Sequence, residues 1–456
     1  MCGIFAIFSS TENKNIGNEI VEGLKRLQHR GKDGYGIAYH ACGRFHAVKK
    51  EGRVNMKELP IESRCCVGHN RYSTSGYTID NGIIVENELQ PLKGTVKSKT
   101  YYLVHNGNIP SADGHDTSRL VELIDSLQHM DIEEILTFIV RTIPAAFCLI
   151  LLFEDRLYVV RDRYGIRPMC LGQRNGNYYV SSESHGLGDA SFIGDVKPGE
   201  VIRINCHGIT SIFLHPARQL SLCTFEILYF ANENSVIDGY SVKEIRKGLA
   251  IKLAERENLV GDDYVVVGVP STGRLLGQTY ANIAGFRYGQ WITKNPNVDR
   301  TFILKTDRER KEACMKKFFY DIPNLRGSKV ILVDDTIVRG NVISAIIENL
   351  RRIGVDEIHV RIPAPPVVDR CILGISIQDR NELIFTNRTL GEVSQEIGAD
   401  TLSYLSLDDV TELVPPRSYN LCFSGHVDKD IVSCSRDILK ESGFNSDNVP
   451  PLFLEH

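Results

Sequence analysis

The sequence predicts two domains of different architecture, an α+β domain with two sheets stacked between helices and then an α/β domain with a parallel sheet. Within the first 220 residues, strand patterns recur with helical segments between them. From residue 242 onward, helices alternate with short apolar strands in a βαβ series, which implies a parallel sheet. A chain of 456 residues is long enough for each domain to bury its own core.

The elements of the N-terminal domain, residues 2–220, follow from the spacing of apolar side chains. Alternation with a period of two predicts strands, and a period of 3.6 predicts helices. By this criterion the helices lie near 17–29 and within 118–138. The predicted strands lie at 2–8, 33–49, Leu103–Val104, 147–153 and 157–160.

The C-terminal domain, residues 221–456, begins with an amphipathic helix predicted over 242–258. Apolar β-branched runs then predict strands at 264–267, 329–333 and 357–362, with a helix at 342–353 between the last two. The final fifty residues are rich in turn formers. We expect them to wrap back over both domains.

Composition and charge exclude several classes of function. The formal net charge of −4 gives no electrostatic reason to bind nucleic acid or an anionic membrane. No uninterrupted apolar run reaches the length of a membrane span. The apolar N-terminus lacks a basic leader, and polar residues 9–14 interrupt it, so we expect no signal peptide. We therefore expect a large, soluble enzyme in the cytoplasm.

The most informative segment of the chain follows the predicted strand 329–333. Two carboxylates, Asp334 and Asp335, come directly after the strand, and the segment continues to Gly340 before the next helix begins. In an open parallel sheet, ligands bind past the carboxyl ends of the strands and at helix N-termini. Exposed backbone N–H groups in such a turn suit a phosphate, and paired carboxylates suit sugar hydroxyls or hydrated Mg²⁺.

The whole string from Asp334 to Gly340 resembles the 5-phosphoribosyl-1-pyrophosphate (PRPP) signature of type I phosphoribosyltransferases. The resemblance implies that Mg²⁺ is held by Thr272, Asp334 and Asp335, and that pyrophosphate lies on the segment 269–273. The residues implied in PRPP binding are Ser271, Thr272, Lys317, Asp334, Asp335, Thr336, Ile337, Val338, Arg339 and Gly340.

The second signal is Cys2, which becomes N-terminal once Met1 is removed. An N-terminal cysteine carries a thiol beside an α-amine with an unperturbed pKa of about 7.7–8.0. That amine can act as the general base for its own thiol. A cysteine considered alone is more often a small buried hydrophobe than a nucleophile.

Three further strings favour the nucleophile: Leu27–Gly31, Gly68–Thr74 and His105–Asn108. With Met1–Ile4 they resemble the glutaminase domain of class II glutamine amidotransferases. That family has the four-layer αββα fold of N-terminal-nucleophile hydrolases. The resemblance implies that Cys2 attacks glutamine and that the oxyanion is bound by Asn106 and Gly107, although an Asn-Gly pair is also typical of a hairpin turn. It also implies that glutamine is bound by Arg71, Tyr72 and Asp116.

Both signals in this order resemble the amidophosphoribosyltransferase family along nearly the whole chain. The resemblance implies a glutaminase domain that supplies ammonia and a transferase domain that makes 5-phosphoribosylamine from PRPP, the step that opens purine synthesis. It further implies inhibition by purine nucleotides and a homodimer or homotetramer. Residues 294–317 resemble the loop that closes over PRPP in this family.

Several residues depart from the pattern of the family and leave alternatives open. Ser271 stands where an acidic residue is usual, the segment Pro110–His115 is short, and Pro296, Asn297 and Asp299 are unusual in the closing loop. These departures allow a catalytically weakened paralogue that binds PRPP or nucleotides as a regulator. A sugar-phosphate aminating amidotransferase would not explain Asp334–Gly340, and a free phosphoribosyltransferase would not explain the glutaminase strings.

Twelve scattered cysteines do not form the regular pattern of a disulfide scaffold. Some members of the resembled family hold a [4Fe-4S] cluster on four thiolates, and the resemblance places Cys223, Cys371 and Cys422 at three ligand positions. Tyr419 stands where the fourth ligand is expected, with Cys434 as the nearby substitute. Since four thiolates are the usual requirement, the sequence favours three buried thiols over a cluster.

Overall fold

The computed structural model describes residues 1–13, 15–72, 79–80, 83–84, 89–109, 116–295, 317–371, 373 and 380–426. Two antiparallel sheets are built from the strands of the first 214 residues. A seven-stranded sheet has the order β13-β11-β12-β1-β4-β2-β3, and a six-stranded sheet has the order β15-β14-β10-β9-β8-β7. The strands are β1 Gly3–Asn13, β2 Gly34–Ala41, β3 Arg44–Glu51, β4 Ser63–Arg71, β5 Ile79–Asp80, β6 Ile83–Ile84, β7 Leu92–Val96, β8 Lys99–Asn108, β9 Ala146–Phe153, β10 Arg156–Arg161, β11 Cys170–Arg174, β12 Asn177–Ser181, β13 Ser191–Asp195, β14 Glu200–Asn205 and β15 Gly208–Leu214.

The predicted layering is confirmed by the way β1 divides its side chains. Because successive side chains of a strand point to opposite faces, Ile4, Ala6 and Phe8 enter the core between the two sheets. Phe5 and Ile7 point to the other face and pack with helix α1. The outer face of the six-stranded sheet is covered by α2 and α3, which completes the αββα order. These helices are α1 Ile16–Arg26, α2 Asp116–Ser126 and α3 Ile132–Thr142.

The second part of the chain contains the predicted parallel sheet, in the order β19-β18-β22-β23-β24. The predicted strands 329–333 and 357–362 are observed with the same bounds. The strands are β16 Val236–Ile237, β17 Tyr240–Ser241, β18 Tyr264–Gly268, β19 Arg287–Tyr288, β20 Ile292–Lys294, β21 Phe318–Tyr320, β22 Lys329–Val333, β23 Glu357–Ile362 and β24 Thr401–Tyr404. The helices are α4 Val242–Ala254, α5 Gly273–Ala284, α6 Ile322–Leu325, α7 Asn341–Ile353, α8 Leu390–Ile397, α9 Leu407–Thr411 and α10 Leu421–Ser424.

Three short helical turns of other types complete the described elements: 3-10 turns at Ser184–Leu187 and Arg380–Glu382, and a π-helical turn at Glu226–Phe230. The described part of the predicted C-terminal wrap returns to the start of the second domain, because Tyr419 forms a bridge with Cys223. Residues 427–456 lie outside the described part. No helix among the described residues is long and apolar enough to cross a membrane.

The hairpin β16–β17 joins the two halves through charged groups. Arg161 is fully buried and donates two hydrogen bonds to the Asp238 carboxylate at the hairpin turn, with N–O distances of 2.8 and 2.7 Å. Asp195, at the end of the edge strand β13, lies close to the same turn. Burial, together with the negative charge of Asp238, raises the pKa of Asp195 from 3.8 to about 6.

The raised pKa of Asp195 predicts a pH-dependent stability. Its protonated form is favoured in the folded state, so its stabilising contribution is present below pH 4 and lost as pH rises through about 6. Asp195→Asn should therefore raise the free energy of unfolding at pH 8 by up to about 3 kcal/mol, since the pKa shift is about two units and one unit corresponds to about 1.4 kcal/mol. At pH 4 the difference should disappear. Urea unfolding at both pH values measures it.

The control for this experiment is Asp189→Asn, which changes a carboxylate that is 87 % exposed. This variant should match the unmodified protein at both pH values. An Asp195→Asn variant that is equally destabilised at pH 4 and pH 8 would contradict the electrostatic explanation.

Candidate functional site

The predicted nucleophile lies at the start of the central strand of the seven-stranded sheet. Cys2 is partly exposed, immediately before β1, and its Sγ lies 3.7 Å from the carbonyl oxygen of Tyr72. The Nε of the buried Arg30 donates to the Cys2 carbonyl at 3.2 Å. Two residues further along the chain, the Ile4 amide donates to the Ser182 hydroxyl at 2.9 Å, and the Ser182 amide donates to the Ile4 carbonyl at 3.0 Å. The main chain on both sides of the nucleophile is thus held in place.

Close backbone packing brings the predicted glutamine residues to Cys2. A Cβ added to Gly31 would lie 2.6 Å from the main-chain carbonyl of Arg71 and from the carbonyl oxygen of Asn70. Any side chain at position 31 would therefore push the loop after α1 away from the end of β4. Because Gly31 has none, the loop stays in place and Arg71 and Tyr72 lie beside the nucleophile.

The predicted oxyanion residues lie inside a strand, so the hairpin-turn alternative is wrong. Asn106 and Gly107 belong to β8 and pair with Cys148 and Phe147 of β9. A Cβ on Gly107 would lie 2.2 Å from the carbonyl oxygen of Ala146, so the strand admits only glycine there. The Asn106 side chain is fully buried, and neither of its polar atoms has a hydrogen-bond partner among the described residues. A buried amide of this kind can serve as a preorganised donor.

Asp116 lies at the end of the same strand. It begins α2, and its Oδ2 accepts a hydrogen bond from the Ile109 amide at 3.3 Å and lies 3.7 Å from His105 Nδ1. The helix therefore places this carboxylate next to the His-Asn-Gly-Asn strand, and its role in binding glutamine stays a prediction. The short segment Pro110–His115, one of the departures from the family pattern, lies outside the described residues.

A second group of predicted residues gathers at the carboxyl ends of β18 and β22. The two strands are in register with Gly268 opposite Val333, and the Val269 amide donates to the Val333 carbonyl at 2.9 Å. A Cβ on Gly273 would lie 2.5 Å from that carbonyl, so α5 begins directly against β22. This contact lets the hydroxyl of Thr272 donate to the carboxylate of Asp335. Ser271 is exposed on the same loop.

The electrostatics of Asp334 and Asp335 favour a cationic or hydrogen-bond-donating ligand. Burial and the neighbouring Asp335 charge hold the pKa of Asp334 well above its usual range, while Lys317 acts in the opposite direction. Burial also raises the pKa of Asp335, against the effects of Thr272, Thr336 and the nearby Arg246. Two adjacent charged carboxylates repel each other, so a bound cation would relieve that repulsion.

The segment after the carboxylates forms a turn that leads into α7. Gly340 has φ +80°, a conformation that favours glycine, and a Cβ there would lie 2.4 Å from Ile384 Cδ1. Ile337 is buried, and Val338 accepts a hydrogen bond from the Ile384 amide at 3.0 Å. Arg339 is turned outward and pairs with Glu382, with Nε 2.7 Å from the carboxylate oxygen. Because the Arg339 side chain points outward, the main-chain N–H groups of the turn, at a helix N-terminus, are the groups that can bind an anion.

The two groups of residues are linked by the π-helical turn Glu226–Phe230, which the sequence analysis missed. The ring of Phe230 packs edge-to-face on Tyr72, with centroids 6.3 Å apart. Arg246 donates to the carbonyls of Ile227 and Ala231, both at 2.9 Å, and its charge faces Asp335. π-Helical turns carry no apolar periodicity that a sequence search could find, but they are frequent at functional sites.

Two tyrosines near Asp334 also escaped the sequence analysis. Tyr229 is 41 % exposed, and desolvation, together with the nearby ionisable groups Tyr72, Asp335 and Asp334, raises its pKa, so its side chain lies within electrostatic range of both sites. Tyr404 ends β24, its hydroxyl is buried, and it has no hydrogen-bond partner within the described ranges. Asp334 raises the pKa of Tyr404 in addition to burial. Neither residue belongs to a local motif, so a signal for them exists only in three dimensions.

The predicted closing loop, 294–317, lies mostly outside the described residues, including Pro296, Asn297 and Asp299. Its two ends are described and lie side by side, because the Asn295 amide donates to the Lys317 carbonyl at 2.9 Å and β20 pairs with β21. Lys317 is therefore held near Asp334, as its effect on the Asp334 pKa also indicates.

Comparisons with known proteins cover both halves of the chain. A family model for a glutamine amidotransferase domain matches residues 78–189. The chain is 34 % identical to the amidophosphoribosyltransferase of Methanocaldococcus jannaschii over 93 % of this chain and 97 % of that protein. It is 30 % identical to the amidophosphoribosyltransferase of Bacillus subtilis over 94 % of each chain.

A solved structure gives the same result for the fold. Glutamine PRPP amidotransferase from B. subtilis, in complex with ADP and GMP, superimposes with a TM-score of 0.81 at 29 % identity. The match covers 93 % of this chain and 97 % of that one. Both halves of the chain therefore share one full-length architecture with proteins of that name.

Proposed function

The chain belongs to the amidophosphoribosyltransferase family, and from this membership we infer that it makes 5-phosphoribosylamine, pyrophosphate and glutamate from PRPP, glutamine and water. The similarity runs along both halves of the chain, which supports catalysis over the alternative of a weakened regulatory paralogue. We assign residues 2–220 to the glutaminase and 221–456 to the transferase. The observation that carries the proposal is the placement of Cys2 and Asp335 on either side of a single π-helical turn.

In the glutaminase site, the Cys2 thiol attacks the side-chain amide of glutamine after removal of Met1. Ammonia leaves, and water hydrolyses the thioester to give glutamate. The Asn106 amide and the Gly107 N–H stabilise the oxyanion, and a single donor of this kind contributes about 2.7–4 kcal/mol. Arg71 binds the α-carboxylate, Asp116 binds the α-ammonium group, and Tyr72 closes the site over the substrate.

In the transferase site, ammonia displaces pyrophosphate from the anomeric carbon of PRPP. The main chain of the turn Thr336–Gly340 holds the 5-phosphate, while Ser271 and Thr272 hold the pyrophosphate. Asp334 and Asp335 bind the ribose hydroxyls, and Lys317 offsets the charge of the phosphates. Only neutral ammonia can attack PRPP, and in water at neutral pH most of it would be protonated. Ammonia must therefore pass between the two sites along a path that excludes water.

Mg²⁺ fits this site because Asp334, Asp335 and Thr272 offer the hard oxygen atoms that the ion prefers. No group of three or more His, Cys, Asp or Glu side chains arranged to hold a metal occurs in the described part of the chain. We therefore propose that the two carboxylates and the Thr272 hydroxyl hold the ion together with substrate phosphates. When bound, it would neutralise charge on the departing pyrophosphate.

ADP and GMP are bound in the solved B. subtilis relative, so we propose that purine nucleotides also bind this protein as inhibitors. We further propose a homodimer or homotetramer in the cytoplasm. Glutamine and PRPP are its small-molecule partners.

Replacement of the nucleophile should separate the two chemistries. Cys2→Ala should lower glutamine-dependent pyrophosphate release on the order of 10⁴-fold, while ammonium-dependent release stays near that of the unmodified enzyme. Intact mass spectrometry establishes that Met1 is absent. The control is Cys206→Ala, which changes an exposed cysteine and should retain both activities. Loss of the ammonium-dependent activity in folded Cys2→Ala would contradict the proposal that the two reactions occur at separate sites.

The carboxylate pair can be tested against an identical pair at the other end of the sheet. Asp334→Asn with Asp335→Asn should weaken PRPP binding in the presence of Mg²⁺ by at least about 100-fold, since two charge-assisted contacts are lost. Asp262→Asn with Asp263→Asn makes the same change before β18 and should leave binding unchanged. Calorimetric titration measures both. Equal affinities in the two variants would rule out a binding role for Asp334 and Asp335.

The hydroxyl of Tyr229 should couple the two sites. Tyr229→Phe keeps the ring, so we expect the basal glutaminase rate and the thermal midpoint to be unchanged. The stimulation of glutaminase by PRPP should fall about tenfold, within the usual range of coupling energies. Tyr240→Phe, on the nearby hairpin, is the control and should retain the stimulation. Full stimulation in Tyr229→Phe would show that the hydroxyl has no part in coupling.

A further inference from the structure

The three cysteines that the sequence analysis singled out lie in one buried junction. Cys223, Cys371 and Cys422 are only 2, 5 and 3 % exposed, and all three side chains face the ring of Tyr419. They come from three segments that are far apart in sequence: the start of the transferase half, the loop after β23, and α10. This is the arrangement in which members of the family with a [4Fe-4S] cluster would hold it.

The residues present do not fit that cluster. A [4Fe-4S] cluster is usually held by four thiolates, and the fourth position contains the phenol oxygen of Tyr419, a harder ligand than sulfur. The Tyr419 ring is itself 5 % exposed and fills the space between the thiols. Its hydroxyl oxygen accepts a contact from Cys371 Sγ at 3.9 Å. Because protein interiors are closely packed, a cluster could enter only if this ring moved out.

Main-chain hydrogen bonds hold the three segments of the junction together without a metal. The Thr224 amide donates to the Tyr419 carbonyl at 2.9 Å, and the Tyr419 amide donates to the Leu222 carbonyl at 3.0 Å. The Cys422 carbonyl accepts hydrogen bonds from Val368 and Asp369 at 2.8 and 3.2 Å. Main-chain hydrogen bonds thus join the same segments that four thiolates on one cluster would join.

Three further contacts extend the junction, two of them toward the glutaminase half. The rings of Phe225 and Phe423 stack with centroids 5.8 Å apart. Arg167 donates to the Leu373 carbonyl at 3.2 Å, and the Cys223 amide donates to the Ile166 carbonyl at 3.2 Å. The junction therefore holds the C-terminal segment, the transferase sheet and the glutaminase domain together.

We propose that Tyr419 replaces the iron–sulfur cluster in this chain. Its ring closes the site to the metal, and its main chain fastens the three segments, so the protein folds and works without iron. The proposal rests on the packing of the junction and is independent of the assignments at the two catalytic sites.

Anaerobic reconstitution with ferrous iron and sulfide, followed by desalting, tests the proposal on the full-length protein. The unmodified protein should retain less than about 0.2 iron per chain and show no absorption band near 400 nm, since the described residues of the junction offer three thiolates and a phenol. Cys434, the substitute ligand that the sequence allows, lies outside the described residues. Tyr419→Cys supplies the fourth thiolate and should retain several irons per chain with that band. Phe192→Cys, which adds a thiol at a position 48 % exposed, is the control and should behave as the unmodified protein.

Two outcomes would overturn the proposal. Stoichiometric iron in the unmodified protein, on any fourth ligand, would show that Tyr419 does not close the site. A folded Tyr419→Cys protein without iron would show that residue 419 does not decide metal binding.

Thermal unfolding measures separately how much Tyr419 stabilises the junction. Tyr419→Ala should lower the midpoint by at least about 5 °C, because it opens a cavity where three segments meet. Phe192→Ala, an exposed aromatic truncation, should lower it by less than about 2 °C. A midpoint for Tyr419→Ala within a degree of the unmodified protein would contradict the role, whatever the iron analysis gives.

Discussion

The arrangement of both sites depends on a buried network of charges between the two halves of the chain. Arg30 lies 2.7 Å from Glu226 and 3.3 Å from Glu183, and all three side chains are inaccessible to solvent. Arg167 lies 3.6 Å from the other oxygen of Glu226, so two positive and two negative groups balance. Since a buried charge without its partner costs about 3–5 kcal/mol, the four groups must stay together. Arg30 also holds the Cys2 carbonyl, so the network fixes the nucleophile relative to the transferase.

The π-helical turn Glu226–Phe230 carries this constraint from one site to the other. Its first residue belongs to the charge network, and its last residue packs against Tyr72 in the glutaminase site. Arg246 binds the main chain of the turn at both ends and faces Asp335 in the transferase site. A ligand that changes the charge around Asp335 therefore acts on a group that holds the turn. The turn and Arg246 therefore form a physical connection through which the two sites can be coupled.

How far the sequence predicts the structure depends on how local each feature is. The strand 329–333 and the segment Asp334–Gly340 are continuous, so their apolar pattern and residue types predict both the element and its site. Asn106–Gly107 was ambiguous because the same pair suits a turn, and only the pairing with β9 shows that it lies in a strand. Tyr229 and Tyr404 could not be predicted, because contacts between distant segments bring them to Asp334. Cys223, Cys371 and Cys422 were found through resemblance, but only packing shows what Tyr419 does among them.

The central claim is that glutamine hydrolysis and PRPP binding form one coupled activity. The most direct test is the initial rate of glutamate release by the unmodified enzyme, measured over a range of PRPP concentrations with Mg²⁺ present. The coupling described above predicts that the rate rises with PRPP and saturates at the concentration that also saturates pyrophosphate release. A rate of glutamate release that is the same at every PRPP concentration would contradict it.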